Sequence, residues 1–176
     1  MRALKIHTTV PFYVMGWAAL LVSISVLSWQ AFGPRILINE TPSEPVGFYR
    51  LISHSESAFR RGMYVVFPVP PSARAIVYGR HWLKDGIPML KELLGLAGDE
   101  VCVFPDRLEV NGRYVGPVFE RDSVGRPLPK LRGCFEVPPG SFFAASKHLA
   151  NSFDGRYFGP VPLAELLGEA RPVWTF

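Results

Sequence analysis

A chain of 176 residues with 48% hydrophobic and 19% charged residues is long enough for one domain, yet carries fewer charges than the roughly 25% usual in soluble proteins. Its 19 Lys and Arg against 15 Asp and Glu give a net charge of +4 and a pI near 9.3. The basic residues are scattered singly or in pairs such as Arg60 and Arg61, with no basic helix or arginine tract, so a nucleic-acid partner is disfavoured.

Residues 10–29, VPFYVMGWAALLVSISVLSW, contain no charge. About twenty apolar residues at 1.5 Å each match the hydrocarbon thickness of a bilayer, which excludes a purely cytosolic enzyme. The segment predicts a single transmembrane helix within an N-terminal region of residues 1–33. Arg2 and Lys5 precede it with no acidic residue, so the short N-terminus is expected in the cytoplasm and residues 34–176 on the far side, periplasmic or extracellular. The exit, SWQAFGPR, is a poor match to a small-x-small cleavage site because Trp29 stands two positions before Ala31, which favours an uncleaved anchor over a removed signal.

Beyond the anchor, 17 Pro and 16 Gly across the whole chain act as punctuation and favour many short strands, hence a mainly β exported domain. Residues 62–67, GMYVVF, read as a strand stopped by Pro68, Pro70 and Pro71. Residues 73–82 are ambiguous. Residues 108–115, LEVNGRYV, read as a hairpin, since AsnGly supplies the two positive-φ positions of a tight turn. Residues 134–145 repeat that pattern with ProProGly as the turn, and residues 162–167 read as a short helix started by proline. Cys102 and Cys134 are the two cysteines of an exported chain, where disulfides persist. Joined, they close a loop that contributes on the order of 3 to 4 kcal/mol; two separate buried thiols are the alternative.

Scans for GxSxG, HExxH, CxxC and GxxxxGK come back empty, and His7, His54, His81 and His148 have no mutual spacing of a metal site or triad. No cofactor is indicated. Three blocks remain. Residues 39–49, NETPSEPVGFY, have the composition of a turn-rich linker. Residues 88–101, PMLKELLGLAGDEV, have Leu90, Leu93, Leu94 and Ala97 at helical spacing, which predicts an amphipathic helix with Lys91 on its solvated face. Residues 151–160, NSFDGRYFGP, read as a loop pinned by Asp154 and Arg156.

Together and in this order the blocks resemble the type I signal peptidase superfamily, most closely its small TraF-type branch of conjugative transfer peptidases. SEPVGFY is similar to the SxPxGxY around the branch's nucleophile, LKELLGLAGDEV to the lysine block that leads into GxxGDxV, and NSFDGRYFGP to the SxDSRYxG box. Two departures stand out: Gly155 replaces the box's usual serine, and Ser146, Lys147 and His148 occupy the place of the GDN turn of general signal peptidases.

The resemblance implies a signal-peptidase-like antiparallel β domain in which Lys91 points inward, so the helical reading and the β reading of residues 88–101 stand open against each other. It implies that Ser43 is the nucleophile and Lys91 the general base, that Thr41 joins the Ser43 backbone N–H at the oxyanion, that Ser152 orients the lysine amine, and that Asp154 holds the last box with a possible direct catalytic part. The implied substrate is a membrane-inserted precursor, a conjugative pilin precursor, with hydrolysis or pilin ring closure as outcome. A housekeeping signal peptidase and a noncatalytic membrane-tethered scaffold are the rival readings. A scaffold would leave Lys91 exposed and far from Ser43.

Overall fold

The structure, a computed structural model, describes residues 12–32, 35–53 and 59–176. His7 and His54 lie outside them. The chain divides into two compact units, Met1–Pro34 and Arg35–Phe176. In the first, the charge-free run forms helix α1 (Phe12–Phe32). Among the described residues no helix is long and apolar enough to cross a membrane. The expected transmembrane helix therefore draws no support from the structure.

The second unit is built from antiparallel strands, as expected. Seven strands form one sheet in the order β1 (Arg35–Asn39), β2 (Gly47–Ile52), β11 (Gly168–Thr175), β3 (Tyr64–Phe67), β4 (Met89–Leu96), β9 (Ser141–Ala145) and β10 (Val161–Pro162). Four form a second sheet in the order β7 (Arg113–Pro117), β6 (Arg107–Val110), β5 (Glu100–Val103) and β8 (Gly133–Glu136). The ambiguous residues 73–82 contribute most of helix α2 (Pro71–Gly79), which Pro71 opens at a position whose missing N–H costs nothing. A one-turn helix, α3 (Gly155–Phe158), follows β9.

Local turn chemistry explains the hairpin β6–β7. Asn111 and Gly112 take φ of 50° and 69°, the mirror-image turn that matches strand twist. Residues 134–145 do not make a second hairpin. β8 pairs with β5 and β9 with β4, so ProProGly is a corner at which the chain changes sheet. Val137, fully buried at that corner, donates its N–H to Asp99 O, while Gly98 N–H returns to Val137 O, so these bonds extend the β5–β8 ladder past Glu136 instead of closing a β8–β9 hairpin. Residues 162–167 likewise shorten to a single 3₁₀ turn at Leu163–Glu165 behind the bridge of β10.

The helical reading of residues 88–101 is corrected in the same way. β4 sits between β3 and β9 and is buried on both faces: Met89 and Leu93 enter the core under α2, Leu94 the core between the sheets, and Leu90 a third cluster with Tyr49, Val66 and Ala170. A strand covered on both sides reads as a continuous apolar run, which periodicity alone does not separate from a helix.

Candidate active site

The segment joining β1 to β2 carries Ser43, and Asn39 ties it down. The Asn39 side-chain amide donates to the carbonyls of Thr41, Glu44 and Pro45, each at 3.0 Å, and its Oδ1 accepts from Thr41 N–H at 3.2 Å and Thr41 Oγ1 at 2.8 Å. Tyr49 Oη donates to Pro45 O at 2.6 Å, and the Ser146 hydroxyl donates to Ser43 O. These bonds, rather than regular structure, hold the turn in one conformation.

Lys91 reaches the same point from β4. Its Nζ donates to Ser43 Oγ at 2.6 Å across 48 residues of sequence. Lys91 is 5% and Ser43 8% exposed. Burial pushes the Lys91 amine below the usual lysine range, opposed by the negative charges of Asp154 and Glu44 and assisted by Arg156. An ordinary lysine near 10.4 is neutral fewer than about once in a thousand at pH 7, so a lysine acting as a base needs a shift in this direction.

Thr41 and Ser152 line the same cavity as Ser43 and Lys91, a space of about 330 Å³ whose far wall includes Trp82, Leu128 and Phe153. Thr41 Oγ1 lies 3.4 Å from Ser43 Oγ, with its own proton directed to Asn39. Ser152 is 2% exposed and its Oγ has no hydrogen-bond partner, so the expected bond from Ser152 to the lysine amine is not formed here.

Asp154 lies outside the cavity lining. Fully buried, it accepts from Ser146 N–H at 2.9 Å and from Arg156 Nε at 2.8 Å, and caps α3 through Arg156 N–H. Arg156, also fully buried, donates onward to Ser146 O at 2.7 Å, Pro117 O at 2.7 Å and Ala150 O at 3.1 Å. A buried ion pair is tolerable because its remaining hydrogen-bonding capacity is met. The pair holds the end of β9, and through Ser146 the backbone of Ser43. The departure at Gly155 has a steric cause: a Cβ there would lie 2.6 Å from Ala144 O and 2.8 Å from the Phe143 ring.

Asn39, Glu44 and Ser146 escaped sequence reasoning as site residues. An Asn two positions before Thr41 is a turn signal that marks Asn39; Glu44 and Ser146 carry no comparable local sign. Among the described residues no cluster of His, Cys, Asp or Glu could hold a metal ion.

Residues 8–175 match the family model described as signal peptidase, peptidase S26. The conjugal transfer protein TraF of Agrobacterium fabrum is 36% identical over 175 residues, covering 92% of this chain and 94% of that relative. A plasmid transfer protein TraF of Escherichia coli is 32% identical over 172 residues, covering 92% of each. The signal peptidase I V of Bacillus subtilis is 30% identical over 90 residues, 46% of this chain and 54% of that one. Among solved structures, a signal peptidase I from Enterococcus faecalis aligns with a TM-score of 0.41 at 23% identity, covering 65% of this chain and 98% of that one.

Proposed function

Because this chain belongs to the signal peptidase family, peptidase S26, we propose that it is a serine endopeptidase that removes the leader segment of an exported precursor through a Ser43/Lys91 dyad. The observation that carries the reading is the 2.6 Å contact between Lys91 Nζ and Ser43 Oγ inside the fold. A solvated lysine far from the serine, as a scaffold would have, is not what these residues form.

In the proposed reaction Ser43 Oγ attacks the scissile carbonyl carbon while neutral Lys91 takes its proton. The oxyanion is met by the Ser43 backbone N–H and, once its hydroxyl turns from Asn39, by Thr41; one such donor typically lowers the barrier by about 3 to 4 kcal/mol. The C–N bond breaks as Lys91 returns the proton to the leaving amine. Water then attacks the acyl-enzyme, Lys91 accepts its proton, and the ester bond breaks as Lys91 passes that proton to Ser43 Oγ, which restores both groups. Ser152 lines the same cavity, and in this proposal its hydroxyl, unpartnered in the structure, steadies the amine between steps.

The proposed substrate is a pilin precursor of a conjugative apparatus. The transfer-protein relatives align along about nine-tenths of this chain and the Bacillus signal peptidase along less than half, which favours the transfer reading over a housekeeping one. The charge-free residues 10–29 are proposed as the membrane anchor, with residues 34–176 periplasmic. An apolar ladder supports work at a lipid surface: Ile38, Phe48 and Trp174 are cross-strand neighbours on β1, β2 and β11, with Ile38 58% and Trp174 65% exposed.

The test is mass spectrometry of a candidate pilin precursor incubated with the full chain. Loss of the leader is expected, with Ser43→Ala and Lys91→Ala each abolishing it while folding normally. A further loss of one water from the product reports ring closure. Normal trimming by either variant would overturn the dyad.

A further inference from the structure

The residue after the nucleophile is an acid, and the fold buries it. Glu44 is 1% exposed and its Oε1 has no hydrogen-bond partner. No step of the reaction above uses it. Its backbone is fixed, since the carbonyls of Ser43, Glu44 and Pro45 are gripped by Ser146 and Asn39. Ser43 and Lys91 border the cavity; Glu44 lies behind them, where Tyr49 and Tyr64 feel its charge.

The groups around it are Lys91 and Glu92 on β4, Tyr49 on β2, Tyr64 on β3, and Ser146 at the end of β9. Both tyrosines are pushed upward by burial, Tyr49 to about 12, and stay uncharged at working pH. Glu92 is paired with Lys147 at 2.6 Å. Asp154, which caps α3, raises Lys91 more than Glu44 does, and its ion-pair partner Arg156 offsets part of that. Lys91 is therefore the cation left to answer the Glu44 carboxylate among these groups.

Resting on the dyad reading, we propose that Glu44 is a positioning residue for the proton of the base: its carboxylate, enclosed one residue from the nucleophile, holds Lys91 in the ammonium form and sets the pH below which the dyad is idle. Burial raises Glu44 to about 7, with Lys91 as the largest opposing influence, so its charge changes within the working range. An ionised Glu44 stabilises the ammonium, and an uncharged neighbour would let Lys91 lose its proton at lower pH. The two groups titrate as a pair.

Glu44→Gln preserves the shape and removes the charge. With the full chain acting on a peptide that carries a leader junction and small side chains flanking the cut, the acidic limb of kcat/KM should move down by about one pH unit or more. A limb that stays in place or moves up overturns the proposal. If Glu44→Gln does not fold, carbon NMR of Lys91 Cε and Glu44 Cδ in the wild-type chain decides the matter. Each resonance should then titrate in two steps with shared midpoints, and independent single steps overturn the coupling. Ser43→Ala and Lys91→Ala are run alongside. Cleavage by either sinks the dyad and this inference with it, whereas inactive dyad variants with an unmoved limb sink the Glu44 assignment alone.

Discussion

At the scale of single residues, the reaction depends on a proton leaving an amine that water barely reaches. Lys91→Arg should be inactive at every working pH, because a guanidinium does not deprotonate there however deeply it is buried. Processing assays across the pH range check this, and a turnover that returns at high pH would contradict the base role of Lys91. Glu44 adds a stability signature. Its value in the fold, about 7, lies above the ordinary carboxylate value of 4.5, so the folded chain binds the extra proton and stability falls as pH rises through that interval. Urea unfolding at pH 5 and pH 8 should show this slope in the wild type and a flatter one in Glu44→Gln. Gly155 is a purely steric position. Gly155→Ser should cost about 1 to 3 kcal/mol by forcing Ala144 or the Phe143 ring aside. Denaturant midpoints measure it, and an unchanged midpoint would show that β9 yields more readily than its contacts imply.

At the scale of elements, what was legible in the chain was whatever local chemistry decides. AsnGly fixed the β6–β7 turn because only two positive-φ residues satisfy it, and the β-branched run before Pro68 gave β3. The order Ser43, Lys91, Ser152 was legible through its resemblance to a peptidase lineage. The partners of each strand were not. The helical spacing in residues 88–101 and the turn signal in residues 134–145 were read without knowing that β4 has a core on both faces or that β8 and β9 belong to different sheets. Glu44 and Ser146 stayed hidden for the same reason, since their neighbours come from β4 and from the β1–β2 segment. The cross-strand pair Cys102 and Cys134 does form a disulfide, between directly opposed positions of β5 and β8. The Cys102→Ser, Cys134→Ser double variant should lose about 2 to 4 kcal/mol in a thermal or denaturant melt. At the β4–β5 turn the Arg61 guanidinium, helped by Asn111 and Leu96 N–H, holds Asp99 down to about 2. That contribution is complete above the ordinary value of 3.8 and disappears as pH falls through about 2. Because Arg61 is half exposed, solvent screens the pair to on the order of 1 kcal/mol.

At the scale of the whole molecule, one seven-stranded antiparallel sheet brings three distant segments to one point. Residues 39–45 bring Ser43, β4 brings Lys91, and residues 146–156 form the clamp that reaches Ser43 through Ser146. Removing the clamp should therefore harm the site before it harms the fold's periphery. The measurement that tests the account most directly is the intact mass of the full chain, acid-quenched during turnover of a leader-bearing precursor. The account predicts a transient adduct equal in mass to the amino-terminal fragment less one water, mapped by peptide digestion to Ser43 and absent from Ser43→Ala and Lys91→Ala. Leader removal by a Ser43→Ala chain, or an adduct mapped to any other residue, would contradict it.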